Sequence, residues 1–348
     1  MKVAIVGAGI LGLSTAYILA KKGFSVSVFE KQAFPPENAS SIAGGMLAPF
    51  SEIETLPDDF VRAGLKGIEF WDEFLGDDAS DILQKTGSLL IAHPEDGHML
   101  DRFAQHLHSV SNHWEGVDRA RIDVLEPSLG GKFTKGLYLP LEANVNPLPV
   151  LTLLAQKLGE LGGEIIHAEA HLDDLKEDAT YDWVIDCRGY IEGQDQDLRG
   201  IKGEIILLEN DEFTLQRPVR LMHPRYPLYI IPRPDNVFAV GASVIENSDG
   251  DDGFVLLRSA MELMSAAYSL HSSFGEARIL DMSSAVRPAY LDSLPRIKVD
   301  HDQKYIRCNG LFRHGYLLSP IMGECVANLL DKGEENIYFS LFSGRCHG

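Results

Sequence analysis

The chain has 348 residues, enough for two compact regions with separate cores at about 100–200 residues per domain. With 51 acidic against 31 basic side chains, its formal net charge of −20 argues against nucleic acid and against an anionic membrane surface; a small anionic substrate would need arginines placed locally. Four cysteines, Cys187, Cys308, Cys325 and Cys346, are scattered without C-x-x-C spacing and read as reduced thiols of a cytoplasmic protein.

Residues 2–6 are an apolar run of strand length, 11–22 have helical periodicity, and 25–30 form a second strand ending in an acid. Together they predict a βαβ unit. Between its first strand and helix lies Gly7-Ala8-Gly9-Ile10-Leu11-Gly12, a G-x-G-x-x-G motif in the place where its mechanism operates. Gly7 permits the tight turn, Gly9 lets a pyrophosphate approach the backbone, and Gly12 lets the helix pack closely on the strand. The helix N-terminus offers unpaired N–H groups and a positive dipole end. Glu30 closes the second strand, where its carboxylate can accept from ribose hydroxyls and would repel a 2′-phosphate, which disfavours NADP. The alternative is a glycine-rich turn in an ordinary α/β domain. The apolar stretch 4–20 is explained by this unit, and no other run approaches ~20 apolar residues, so a soluble protein is expected.

A loop over 32–41 leads to Ala43-Gly44-Gly45-Met46-Leu47-Ala48-Pro49, where adjacent glycines suit either a planar ligand or a flexible turn; Ser40 and Ser41 can donate to phosphate. Helical patterning covers 58–75 and 95–114, with a short strand at 88–92 between. His98, His106, His108 and His113 on the second helix read as a solvated face rather than a metal site, and no metal is expected. A strand at 136–141, a helix from Asn146-Pro147 through 161, and strands at 164–172 and 182–187 resume α/β alternation. From Gly203 the pattern changes to strands at 204–208, 226–233 and 237–244, followed by an amphipathic helix over 254–270 that places Leu257, Ala260, Met264 and Ala267 on one core face. Short strands at 296–299 and 304–308 precede Asn309-Gly310-Leu311-Phe312-Arg313-His314-Gly315 and a last helix over 316–330. The expected fold is α/β plus α+β: a discontinuous Rossmann-type dinucleotide domain (1–55, 142–195 and 284–345) and a mixed-sheet substrate domain (56–141 and 196–283). No repeat, low-complexity tract or second G-x-G-x-x-G is present.

The segments GAGILGLSTAYILAKKG, AGGMLAP, NVNPLPVLTLLAQKL, YDWVIDCRG, YIIPRPDNVFAVGAS, AVRPAYLDSLPRI and GLFRHGYLLSP occur in the order expected of the D-amino acid oxidase group of flavoproteins, and the chain resembles that group over nearly its whole length. Within it the similarity is greatest to the glycine oxidases, which supply an imine to thiamin thiazole synthesis. The resemblance implies FAD rather than NAD. It puts the pyrophosphate on Gly7 to Gly12, the ribose on Glu30 and Lys31, and the flavin beside Ser41, Gly44, Gly45 and Met46. It puts the adenine against the backbone of Leu172, phosphates near Gly189, and the flavin pyrimidine against Arg313, His314, Gly315, Tyr316, Leu317 and Leu318. A helix N-terminus with an arginine suits the negative charge of reduced flavin, although Gly315 also reads as a plain cap glycine.

By the same resemblance Arg287 pairs with the substrate carboxylate through two parallel hydrogen bonds, Tyr229 adds a hydroxyl donor, and Arg313 lies near flavin and substrate. From the residues alone, Arg287 also reads as a surface arginine before a proline turn, Tyr229 as a core aromatic, and Arg313 as the partner of a structural acid. Some glycine oxidases carry a histidine where this chain has Pro227, many relatives have small residues where it has Arg188, and no role is assigned to Arg188 or His223. No cysteine near Arg287 matches the covalent flavin link of monomeric sarcosine oxidases, which implies noncovalent FAD. The implied reaction is oxidative deamination of a small amino acid with molecular oxygen as acceptor, by a cytoplasmic homo-oligomer. A sarcosine or D-amino acid oxidase, a dehydrogenase of the same fold, and a noncatalytic flavin-binding module remain alternatives.

Overall fold

The first of three sheets has the spatial order Arg296–Asp300, Tyr305–Asn309, Trp183–Asp186, Lys2–Val6, Ser25–Glu30, Glu164–His167 in the computed structural model, which describes residues 1–53, 56–76, 81–193, 195–223, 228–246 and 253–344. All its pairings are parallel except that of the outer strand Arg296–Asp300. Lys2–Val6 is buried after its first residue, as a central parallel strand covered on both faces must be. The helix Ile10–Lys21 is apolar on all sides and buried from Ile10 to Ala20, because it is enclosed by the sheet, the helix Pro147–Glu160 and the helix Gly315–Lys332. Each fully buried Leu or Ile there contributes about 1.5–3 kcal/mol. The strands come from three separated stretches of chain, so the α/β alternation resumes after each excursion as expected.

The second sheet runs Ile245–Glu246, Leu198–Glu209, Val237–Gly241, Leu228–Pro232, Val219–Met222, Ser88–Ala92, Lys135–Leu139, Glu115–Asp118, with the long strand Arg278–Tyr290 also paired to Leu198–Glu209. It is antiparallel apart from the Val219–Met222 and Ser88–Ala92 pair. The helix Leu257–Leu270 packs on it through Ala260, Leu263, Ala267 and Leu270. A small third sheet joins Met46–Leu47, Ala143–Val145 and Leu83–Gln84 between the two larger ones.

Several local expectations are corrected. The strand expected over 164–172 ends at His167, and Leu172 opens a short helix, Leu172–Glu177. The helix expected over 95–114 spans Gly97–Val110, with a strand at Glu115–Asp118. Leu257 is 76% exposed rather than in the core: the helix begins there, one turn later than the pattern implied. The strand expected from 226 begins at Leu228, and Tyr226, Pro227 and Cys346 lie outside the described residues. Among the described residues, no helix is long and apolar enough to cross a membrane.

Candidate active site

At the end of Lys2–Val6 the chain turns through Gly7, whose φ of +106° only glycine adopts without strain. A Cβ on Gly12 would stand 1.9 Å from the Gly7 carbonyl oxygen, so the first helical turn can close on the strand only with glycine there. Glu30 comes up beside this loop, 8% exposed, accepting from the Ala8 N–H at 2.9 Å and the Gln32 N–H at 3.0 Å. The Ile10 N–H donates to the Ser40 hydroxyl at 3.0 Å, whereas the N–H groups of Gly9 and Leu11 have no protein acceptor among the described residues. A tight glycine cradle, unsatisfied N–H groups at a helix start and a carboxylate with spare lone pairs together fit a dinucleotide. Lys31 is exposed, and Leu172 packs at the rim beside Phe29.

The Ser41 hydroxyl is tied locally, accepting from the Asn38 N–H and donating to the Asn38 carbonyl, each at 3.0 Å. Gly44, Gly45 and Met46 then pass between the two large sheets. Arg233, at the end of Leu228–Pro232, donates to the carbonyls of Gly44 at 2.5 Å and Val145 at 3.0 Å, and so fastens this loop to the second sheet. Burial pushes the Arg233 guanidinium down to about 10. Met46 packs against the cluster of Ile205, Tyr229 and Ile231.

The turn before the helix Gly315–Lys332 supplies the opposite wall. Phe312 holds the left-handed φ of +47°, and the next residue, Arg313, points toward the second sheet. His314 stands at the N-cap position of Gly315–Lys332 and is buried; its Nε2 has no hydrogen-bond partner among the described residues, and burial pushes it down to about 4, with Glu52 opposing and Arg313 adding to the fall. The Tyr316 hydroxyl donates to the Ser40 carbonyl at 2.8 Å, and Trp71 Nε1 donates to the Tyr316 carbonyl at 2.7 Å. Leu317 and Leu318 bury their side chains in the first core, so only their backbone and that of Gly315 can face a ligand.

Tyr229 and Arg313 meet: Arg313 Nη2 donates to the Tyr229 hydroxyl oxygen at 3.0 Å. Both also bind Glu52, the tyrosine hydroxyl donating to Glu52 Oε1 and Arg313 Nη2 donating to the same oxygen at 3.1 Å. Arg287 stands on Arg278–Tyr290, opposite Ile201, and lays its guanidinium over Gly203. A Cβ on Gly203 would lie 2.0 Å from the Arg287 Cζ. Arg287 Nη1 donates to the Ser243 carbonyl at 3.1 Å. Desolvation, with the like charge of Arg313, pushes Arg287 down to about 10 while Glu52 pulls it up, so it remains a cation at neutral pH.

Two further side chains have no signal in the local sequence pattern. Glu52 is one acid among several in a loop, and Arg233 sits in a strand-end Pro-Arg-Pro; their partners are remote in sequence. Arg188 gains an account: its Nε and Nη2 grip Asp186 at 2.8 and 3.0 Å, ordering the chain just before Gly189, whose carbonyl accepts from Asn309 Nδ2 at 2.7 Å. Burial raises the Asp186 pKa, but Arg188 and Arg307 outweigh it and hold the carboxyl below its ordinary range. His223 follows Val219–Met222 near His93, whose pKa burial, and then Lys132, push below its ordinary value.

The family described as FAD dependent oxidoreductase matches residues 2–329. A protein of Rhizobium etli assigned as the thiamine biosynthesis oxidoreductase ThiO is 39% identical over 332 residues, covering 95% of this chain and 97% of that one. The glycine oxidase of Bacillus licheniformis is 26% identical, covering 94% of this chain and 92% of its own. The crystal structure of glycine oxidase from Geobacillus kaustophilus superposes with a TM-score of 0.84 at 23% identity over 99% of each chain, a likeness of fold.

Proposed function

The chain belongs to the DAO family of FAD-dependent oxidoreductases, and on that premise we propose that it oxidises the amine of a small, glycine-like amino acid to the imine. The imine hydrolyses to the keto acid unless a partner takes it, and with oxygen as acceptor hydrogen peroxide is the second product. The ThiO and glycine oxidase likenesses support a place in thiamin thiazole synthesis, and we assign the protein to the cytoplasm as a homo-oligomer. Residues 1–55, 142–195 and 284–345 are assigned to the cofactor domain and 56–141 and 196–283 to the substrate domain.

The observation that carries this reading is the convergence of Tyr229, Arg287 and Arg313, from three separate strands and turns, on one buried polar patch beside the Gly44–Met46 loop. When bound, FAD supplies an acceptor for the substrate's α-hydrogen and its electron pair. Gly7 to Gly12 and Gly189 cradle the phosphates, Glu30 and Lys31 hold the ribose, and Leu172 borders the adenine. Ser41, Gly44, Gly45 and Met46, with Arg313 to Leu318, would hold the flavin. Arg287 receives the substrate carboxylate, fixing its direction as well as its charge. Tyr229 lines the same end and reaches that carboxylate by giving up its bond to Glu52. The neutral His314 excludes a further positive charge from the wall. No protein base is required if the substrate enters as the neutral amine.

The test is anaerobic mixing of the yellow protein with glycine, sarcosine and D-alanine in turn, followed by air. Loss of the flavin colour with glycine and its return with peroxide release is expected. Loss without return points to a dehydrogenase with another acceptor, and no loss with any of them overturns the reading. FAD is held without a covalent bond, so acid precipitation should release all of it unmodified; colour left on the pellet would contradict this.

A further inference from the structure

Glu52 lies between the strand Met46–Leu47 and the helix Asp58–Leu75 and is 8% exposed. Its Oε1 accepts from both Tyr229 and Arg313, so the protein itself supplies a carboxylate to two of the three groups that line the substrate end. A tyrosine has one hydroxyl hydrogen, and here it goes to Glu52. Arg287 is different. Its hydrogen bond goes to a backbone carbonyl, and among the described residues no carboxylate pairs with it.

The loop that carries Glu52 is fixed from behind. Glu142 is buried and accepts from the N–H groups of Phe50 at 2.9 Å and Ser51 at 2.6 Å, and from the Ser51 hydroxyl at 2.6 Å. From the other side Arg220, also buried, donates through Nη1 to the Ser51 carbonyl. Glu52 is thus a charge positioned by its backbone on a supported loop rather than a side chain that swings away from an incoming ligand.

We propose that Glu52 determines the charge class of the substrate: of Arg313 and Arg287, it matches the first and leaves the second open to a carboxylate. The site then accepts amino acids with one carboxylate and rejects those with a second anionic group. This rests on the amino-acid reading above. A second anion would meet Glu52 where it would otherwise have met a free guanidinium, and exclusion by a placed like charge is a recognised route to specificity. The Glu52 carboxylate therefore acts as a built-in substitute for the second anion of a wrong substrate.

The experiment is calorimetric titration of the full-length, FAD-loaded protein with acetate and with malonate, ligands that differ by one carboxylate and need no turnover. Wild type should bind acetate more tightly. Glu52→Gln keeps the shape and an acceptor oxygen but removes the charge, and should raise the malonate-to-acetate affinity ratio by about tenfold or more. Arg313→Gln leaves Glu52 unopposed and should move the ratio the opposite way; it carries the same test if Glu52→Gln does not load FAD. A ratio unchanged in both variants overturns the proposal, as does malonate binding to wild type as tightly as acetate. Because binding alone is read, a protein that oxidises no amino acid would defeat the functional reading while the ratio still decides the role of Glu52.

Discussion

The proposed cofactor cradle and the proposed substrate end of the site are made of different materials. Gly7 to Gly12 is a contiguous stretch of backbone whose function depends on absent side chains and on N–H groups left over by helix geometry. The substrate end is made of charged side chains, Glu52, Arg287 and Arg313, which reach one another across 261 residues in the case of the Glu52–Arg313 bond. Backbone geometry tolerates almost no change at a given position. A charge constellation tolerates graded change, because each partner can be removed while the others stay. The two ends should therefore fail differently when altered.

The largest expected effect is on the cradle. Gly12→Ala would place a Cβ 1.9 Å from the Gly7 carbonyl, so the variant should purify without flavin; a full flavin complement by absorbance would break the contrast. Arg287→Ala should do the reverse, retaining flavin while KM for the amino acid rises about 100-fold or more. Steady-state kinetics beside the flavin spectrum would check it, and an unchanged KM would remove Arg287 from the substrate site.

A third effect belongs to the wall between the two ends. His314 has its folded pKa depressed from 6.5 to about 4, so between those values the unfolded chain binds more protons than the folded one. Its contribution to stability is present above about 6.5 and is lost as pH falls toward about 4, amounting to at most about 3 kcal/mol. Urea unfolding at about pH 7 and about pH 4.5 should show the loss, and His314→Asn should reduce the difference between them. The smallest and sharpest change is Gly203→Ala, whose Cβ would stand 2.0 Å from the Arg287 Cζ. Displacement of that guanidinium should raise KM about tenfold with flavin content unchanged. Equal KM values would mean that Arg287 can relax away at little cost.

How much of this was legible in the chain follows the same division. The strands 2–6 and 25–30 have the bounds read from their apolar runs, because each is a local pattern with no competing period. The glycine motif is likewise contiguous. By contrast, Val219–Met222 was not anticipated, since Val-Arg-Leu-Met does not alternate cleanly and its arginine is buried against Tyr229 and Phe103. Arg278–Tyr290 is likewise not predicted, because its first half is exposed and its strand identity comes from pairing with Leu198–Glu209. Nothing near Glu52 distinguishes it from the other acids, and its meaning appears only when Tyr229 and Arg313 are folded against it.

The order of strands in the first sheet also bears on how the protein is made. Lys2–Val6 is synthesised well before its neighbour Trp183–Asp186, and Tyr305–Asn309 follows later still. Until then the earliest strand has an open edge and the helix Ile10–Lys21 lacks the cover of Gly315–Lys332. The nascent chain carries exposed apolar surface while the segments between these strands are made, a period in which chaperones protect such chains from aggregation. If Arg313 to Leu318 hold the flavin as proposed, capture of FAD must wait for them, and translation arrested before residue 313 should yield a chain that never turns yellow.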